Sequence, residues 1–307
     1  MVELNKNTFL YYSSLKEYAD QIDVANNVMS SHWRKFSEQA LIYNEDKKIK
    51  FKTVGLDDFQ NHNFINLIRN IPSQIYLKKL TKTVPKFIYN ALLDVAVQHK
   101  RILSYNCVRQ ALSLNKIIKS GIDIQNMVVG IIGDGHGFMG CLLKKIFPSI
   151  QIVQINLPKN LILDFIFSTT FKEDYSFNCV LDNYQYSTKS DFNFIPADLI
   201  FNVLPKNIDL FINIASMGEM DKKVVDEYFH FMRQQKTMDT YFYCCNRKEK
   251  TLPDGTKTIF SEYGWNDKDL VICDEICEWY NHYPINHPPY IRPFDGIFYD
   301  KIIKFYK

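Results

Sequence analysis

The chain carries no excess of either charge: 37 basic against 34 acidic residues leave a formal +3, and the two signs are interspersed rather than blocked. Without a basic stripe there is no electrostatic footprint for nucleic acid, so duplex binding is not expected. There is no apolar run approaching the roughly 18–20 residues that span a bilayer, and no amino-terminal basic, apolar and small-residue sequence of the secretory kind. A cytoplasmic protein without membrane insertion is the expectation. Paired cysteine spacing is missing too. Seven cysteines, an odd number scattered over the last two-thirds of the chain, point to reduced and mostly buried thiols rather than a disulfide framework. Cys244 and Cys245 are adjacent, and Cys273 and Cys277 have no second pair to complete a zinc site, so no ligand spacing argues for a metal. Repeats and low-complexity tracts are absent as well.

What is present is apolar residue in quantity, 46% of 307 positions, enough for a sizeable core in one large domain or two modest ones. Up to about residue 120 the spacing of apolar residues has the period of helices. Tyr11 to Ala25, Val28 to Tyr43, Phe59 to Asn70, and Phe87 to Ser120 as one or two long helices all place apolar groups on one stripe, with Glu45 to Lys48 as a solvated loop. Beyond about Gly121 short β-branched runs alternate with helical stretches, the pattern of a parallel sheet with crossover helices. Strands are expected at Met127 to Ile132, Gln151 to Ile155, Phe177 to Leu181, Ile208 to Ile214 and Thr240 to Cys245. Helices are expected at Phe138 to Ile146, Asn160 to about Thr170 and Asp221 to Gln234. Leu270 to Tyr280 and Gly296 to Tyr306 would complete the sheet, one of them antiparallel. The expected division is therefore a helical region over 1–120 and an α/β domain over 121–307.

The most informative segment runs from Met127 to Gly140, where an apolar strand breaks into Gly133, Gly135 and Gly137 and resumes as an amphipathic helix. Lacking Cβ, glycines let the backbone turn sharply and let a ligand lie against peptide groups. The same glycines also serve close strand-to-helix packing with no ligand at all. The spacing is Gly-x-Gly-x-Gly rather than the dinucleotide Gly-x-Gly-x-x-Gly, although Gly140 keeps an NAD(P)-dependent oxidoreductase open as an alternative. In an open parallel sheet ligands bind outside the carboxyl ends of the strands, so the candidates are Gly133 to Gly137, Asn156 with Leu157 and Pro158, Ala215 to Met220, and Asn246 with Arg247. Asn156, about twenty residues past the glycine turn, stands where a ribose diol would be held; a turn or capping asparagine is the plainer reading.

These segments resemble the class I S-adenosylmethionine-dependent methyltransferases, and more narrowly the sugar O-methyltransferases among them. The likeness runs through Ile131 to Gly137, through Asn156-Leu157-Pro158 and its following helix, through Asn213-x-x-Ser216-x-x-Glu219-Met220, and through Tyr241-Phe242-Tyr243 ending at Asn246. Ser31 to Phe36 and Asn63-Phe64 are similar to the helical amino-terminal portion. It implies a Rossmann-like methyltransferase sheet, mostly parallel with one antiparallel strand, covered by an all-helical amino-terminal region. S-adenosylmethionine is the implied cofactor, at Gly133, Asp134, Gly135, His136, Gly137, Asn156, Leu157 and Asn213, with Ser216 and Asn246 at the substrate. The implied partner is a small sugar or sugar-derived acceptor; the oligomeric state is not implied. Two acids usual in this class are missing, since Ile131 ends the first strand and Asn156 tips the second. Weaker cofactor binding, a variant cofactor, compensation by Asp134, or a non-catalytic cofactor-binding member are the consequences left open.

The chemistry would be modest. A sulfonium methyl is already an activated electrophile, so the protein need only align an acceptor oxygen and remove its proton. Glu219, just past the fourth strand, is the first candidate base, against its reading as a carboxylate at a helix start. His282 and His287 follow, in a Tyr- and Pro-rich loop whose rings and amides suit a sugar; His136 and His230 are weaker candidates.

Overall fold

The computed structural model describes residues 2–3, 6–25, 41–45, 48–52, 64–99, 103–171, 175–181, 185–203, 207–285 and 287–306. Its helices are α1 (Lys6–Ala25), α2 (Phe64–Leu80), α3 (Lys86–Gln98), α4 (Tyr105–Lys119), α5 (Phe138–Ile146), α6 (Pro158–Thr170), the single turn α7 (Ile200–Val203) and α8 (Lys222–Arg233). A small antiparallel sheet joins β1 (Val2–Glu3), β2 (Leu41–Glu45) and β3 (Lys48–Lys52). The large sheet contains β4 (Val128–Ile132), β5 (Gln151–Asn156), β6 (Phe177–Cys179), β7 (Phe192–Pro196), β8 (Leu210–Ile214) and β9 (Tyr241–Arg247). Between β9 and the last strands comes the hairpin β10 (Glu249–Thr251) and β11 (Lys257–Ile259). Then follow β12 (Leu270–Ile276), the hairpin β13 (His282–Pro284) and β14 (Ile291–Pro293), and β15 (Phe298–Lys304).

The eight strands lie in the order β6-β7-β5-β4-β8-β9-β15-β12. β4 pairs in parallel with both β5 and β8, so the strand order reverses there. β15 runs antiparallel to β9 and to β12, which makes it the one reversed strand of the sheet. This is the Rossmann-like, mostly parallel sheet that the strand and helix alternation led us to expect.

The central strands β4, β5 and β8 are buried on both faces, which is why they read as continuous apolar runs. On one face α1, α3, α4, α5 and α6 share a single core: Leu15 of α1, Leu92 of α3, Leu114 of α4, Leu142 of α5 and Phe165 of α6 are all fully buried with Ile152 and Ile212 of the sheet. On the other face α8, Ile200 of α7 and an aromatic loop cover the strands. Phe229 of α8 sits edge-on to Phe242 and Trp265 at 5.5 and 4.9 Å, and Phe305 stacks on Phe242 at 6.2 Å. Arg233 clamps that loop with two 2.7 Å bonds to Asp269 and one of 2.8 Å to the Gly264 carbonyl.

Several sequence expectations change. Val28 to Tyr43 is not one helix, because residues 41–45 form β2; residues 28–40 lie outside the described residues. Glu45 and Lys48 are paired residues closing the β2–β3 hairpin rather than parts of a free loop. Helix α2 runs on to Leu80, past the expected Asn70. Of the one or two helices expected over Phe87 to Ser120 the chain forms two, the second begun where Ser104 caps α4 by accepting from the Cys107 N–H at 3.2 Å. The strand at Phe177 is short and lies at the edge, while β7 takes the place beside β5. β7 escapes a period-2 reading because its Asn193 is fully buried: the side chain accepts from Asn178 at 2.9 Å and donates to the Ser187 carbonyl at 3.0 Å, so an amide stands where an apolar residue was expected. All seven cysteines are free thiols, six of them buried.

Two consequences are testable. Because the amino-terminal helices and the sheet share one core, a fragment beginning at Gly121 should lose its cooperative thermal transition; a sharp melt by circular dichroism would contradict this. Burial pushes the Asp269 carboxyl up, but Arg233 and the N–H groups of Tyr306 and Asn266 outweigh it and hold it below the ordinary range. Its stabilisation is thus present above the ordinary carboxylate pKa and lost as pH falls through the lowered value. Asp269→Asn should therefore cost stability near neutral pH, about 1–3 kcal/mol for a partly buried charged pair. The gap from wild type should close in acid melts.

Candidate functional site

A crevice opens at the carboxyl ends of β4, β5, β7 and β8, at the point where the strand order reverses. Its volume is about 230 Å³. Gly133, Asn156, Leu157 and Ser216 line it, together with Ala197, Asp198 and Phe201 after β7 and Met220, Asp221, Glu227 and Tyr228 around α8. The walls are largely apolar and three carboxylates face in, with no lysine or arginine among the lining residues. Asp198 Oδ1 and Asp221 Oδ1 are buried without a hydrogen-bond partner. The other oxygen of Asp198 accepts from the hydroxyl of Tyr18, which brings α1 to the crevice wall. Burial, with Asp198 and Glu227 nearby, pushes the Tyr228 phenol up and keeps it protonated.

The glycine turn reaches the crevice at Gly133. Gly133, Gly135 and Gly137 have φ of 72°, 85° and 62°, a left-handed run that side chains resist. Gly133 donates to the Ile155 carbonyl at 2.8 Å, joining β4 to β5 beyond their last paired residues. A Cβ there would lie 2.4 Å from Ser216 Oγ, so the turn and the loop after β8 touch as backbone against hydroxyl. Asp134 faces inward: its carboxylate accepts from the N–H groups of Met139 and Gly140 at 3.1 and 3.0 Å and from Gln154 at 3.0 Å, closing the first turn of α5. Asp164 of α6, fully buried, accepts from the Gly137 N–H at 2.9 Å and from the Asn156 amide at 2.8 Å. Asn156 in turn accepts from the Leu157 N–H at 2.9 Å. The His136 ring lies 6.0 Å from that of Phe167.

A second polar knot binds the neighbouring strand ends. Asn213, fully buried, donates to the Ile132 carbonyl at 2.8 Å and to Ser216 at 2.5 Å, and accepts from the Met217 N–H and from Asn246 at 3.2 and 2.7 Å. Asn246 accepts from the Gly218 N–H at 3.0 Å. Asn213, Ser216 and Asn246 are thus brought together, and they hold the loop that carries Glu219. Glu219 accepts from Lys250 of β10 at 2.6 Å, both side chains being mostly buried. His282 and His287 stand apart from this knot on the β13–β14 hairpin, both exposed. The His282 carbonyl accepts from the Tyr76 hydroxyl of α2 at 3.2 Å, and His287 Nδ1 lies 3.0 Å from the Pro288 carbonyl.

Of the expected residues, then, Gly133, Asn156, Leu157 and Ser216 line the crevice, while Asp134, Gly137, Asn213 and Asn246 brace it from behind. Asp198, Asp221 and Tyr228 were missed. Asp198 follows β7 by two residues, so inspection of strand tips would have found it had β7 been read as a strand.

No family model matches the chain, and no curated protein matches it. Among solved structures it is similar to phosphoethanolamine N-methyltransferase 2 of Haemonchus contortus, solved with phosphomonomethylethanolamine and S-adenosylhomocysteine. That likeness has 11% identity and a TM-score of 0.35, over 45% of this chain and 28% of that one. A methyltransferase of Aquifex aeolicus dependent on S-adenosylmethionine aligns at 12% identity and a TM-score of 0.32, over 62% of this chain and 87% of that one. The mitomycin 7-O-methyltransferase aligns at 13% identity and a TM-score of 0.36, over 65% and 56% of the two chains. This chain thus spans about a quarter of the first of these and most of the second.

The geometry separates two glycine substitutions. A Cβ at Gly135 meets no protein atom within 4 Å, so Gly135→Ala should cost only backbone strain, about 1–2 kcal/mol. Gly133→Ala adds displacement of Ser216 from Asn213 and Ile132, and its cost should exceed about 3 kcal/mol. Equal denaturation midpoints for the two variants would contradict the assignment of Ser216 as the turn's packing partner.

Proposed function

We propose that this protein is an S-adenosylmethionine-dependent methyltransferase, transferring the methyl group to a hydroxyl of a sugar or sugar-derived metabolite. One observation carries the choice of cofactor. The start of α5, where a dinucleotide fold seats a pyrophosphate, is already filled by the protein's own carboxylates: Asp134 takes the N–H groups of Met139 and Gly140, and Asp164 takes that of Gly137. A diphosphate would meet Asp134 and Asp164 below and an acidic crevice beside them. A cofactor bearing a sulfonium and an amino group suits those charges. The apolar slot of Ile155, Leu157, Ala197 and Phe201 suits a flat purine, whose exocyclic amine can donate to the unpartnered Asp198 oxygen.

Glu219 is the proposed base, at the tip of β8 beside the turn that would present the methyl group, with His282 or His287 as the second choice. Lys250 orients the Glu219 carboxylate by donating to it at 2.6 Å, and the buried knot of Asn213, Ser216 and Asn246 fixes its loop. The amino-terminal helices belong to the same unit: α1 reaches Asp198 through Tyr18, and α2 reaches the β13–β14 hairpin through Tyr76. They cover the acceptor side. The sugar comes from the family resemblance, supported by the rings and amides of that hairpin.

Calorimetric titration should give heat with S-adenosylmethionine or S-adenosylhomocysteine and none with NAD(H) or NADP(H); the reverse would sink this assignment. Incubation with methyl-labelled S-adenosylmethionine and a panel of nucleotide sugars and acidic sugars should yield a methylated product. Glu219→Gln should lower its rate by about 10² or more, the usual worth of a general base. An undiminished rate would move the role to the histidines, and binding without turnover would favour a non-catalytic member of this fold.

A further inference from the structure

Arg109 lies one turn into α4 and has no counter-ion. It makes no hydrogen bond or ion pair with any described residue, and its Nε is buried without a partner. Its guanidinium carbon stands 5.6 Å from the centre of the Tyr280 ring. The Tyr280 hydroxyl is itself buried without a partner, as is Nε1 of the adjacent Trp279. Burial pushes the Tyr280 phenol well up, so it remains an O–H donor. Glu219, whose charge reaches Arg109, is already held by Lys250. Burying the Nε–H of a cation with no acceptor costs stability that packing alone does not return.

The position gives that cost a purpose. Tyr280 follows β12 and Glu219 follows β8, so both stand at the carboxyl edge of the sheet, as the crevice does. Tyr105, on the same helix as Arg109, fixes the Trp279–Tyr280 turn by donating to the Trp279 carbonyl at 2.5 Å. We propose that Arg109, with the Tyr280 hydroxyl beside it, binds an anionic group on the acceptor, a carboxylate or a phosphate. In its bearing on the acceptor this rests on the methyltransferase reading above; anion binding itself does not. A guanidinium presents paired donors that match either group, and one desolvated by aromatic rings binds it more strongly than a lysine in water.

The test uses the full chain, with and without S-adenosylhomocysteine, titrated with galacturonate, galactose 6-phosphate and neutral galactose. At least one anionic probe should bind about tenfold more tightly than galactose, the worth of one charge-assisted contact. Arg109→Met should abolish that preference, leave the affinity for S-adenosylhomocysteine unchanged, and keep or raise the melting temperature, because it removes a half-buried cation whose Nε–H has no acceptor. Arg109→Gln, which retains polar character without charge, repeats the comparison should the methionine variant fold poorly. Equal binding of charged and neutral probes, no heat from either anionic probe at millimolar concentration, or a preference that survives both substitutions overturns the proposal. A failure to bind S-adenosylhomocysteine alongside an intact, Arg109-dependent anion preference counts against the cofactor assignment and not against this site.

Discussion

The buried amide of Asn213 is the contact on which the carboxyl edge of this sheet depends. Four strong bonds leave one side chain for the end of β4, the loop after β8, and β9 through Asn246. In a parallel sheet the strands fan apart by twist, and the peptide groups just past their ends have lost their ladder partners. An amide, with donors on one atom and an acceptor on the other, satisfies both kinds of orphan at once. An apolar residue of equal size would fill the volume but leave the Met217 N–H unpaired in the interior and the Ile132 carbonyl with Ser216 alone, which costs more than the packing returns.

The same economy governs the glycine turn. Its left-handed residues are held from below by Asp134 and Asp164, two carboxylates from different elements that neutralise the amino-terminal dipole of α5. Asp164, one layer beneath, accepts from the Asn156 amide, which in turn accepts from the Leu157 N–H, so Asn156 relays hydrogen bonds from the core to the strand tip.

Much of this was legible in the residues. The strand, turn and helix from Val128 to Ile146 follow from an apolar run, three closely spaced glycines and a clean helical stripe, which leave the chain one local solution. The bounds of β8, α8 and β9 follow in the same way. β7 was not legible because its second residue, Asn193, is a buried asparagine paired with other amides, and a period-2 pattern cannot register polar groups that satisfy each other. Residues 41–45 failed for the opposite reason: Ile42 and Tyr43 fit a helical stripe as well as a strand, and only pairing with β3 decides between them. Site residues divide likewise. Those fixed by backbone geometry, Gly133 and Leu157, fall at the crevice, whereas Asp198 and Arg109 owe their places to tertiary contacts between elements far apart in the chain.

The contact between Tyr18 and Asp198 ties the fortunes of two distant parts of the molecule together. Asp198 has one oxygen held by the first helix and the other turned to the crevice. A ligand that draws charge from this carboxylate weakens what it offers the phenol, and a helix that grips harder leaves less for the ligand. By thermodynamic reciprocity the two effects are equal in free energy. Occupancy of the crevice is therefore written into the local opening equilibrium of α1, so that hydrogen exchange in the first twenty-five residues becomes a gauge of what sits on the far side of the wall.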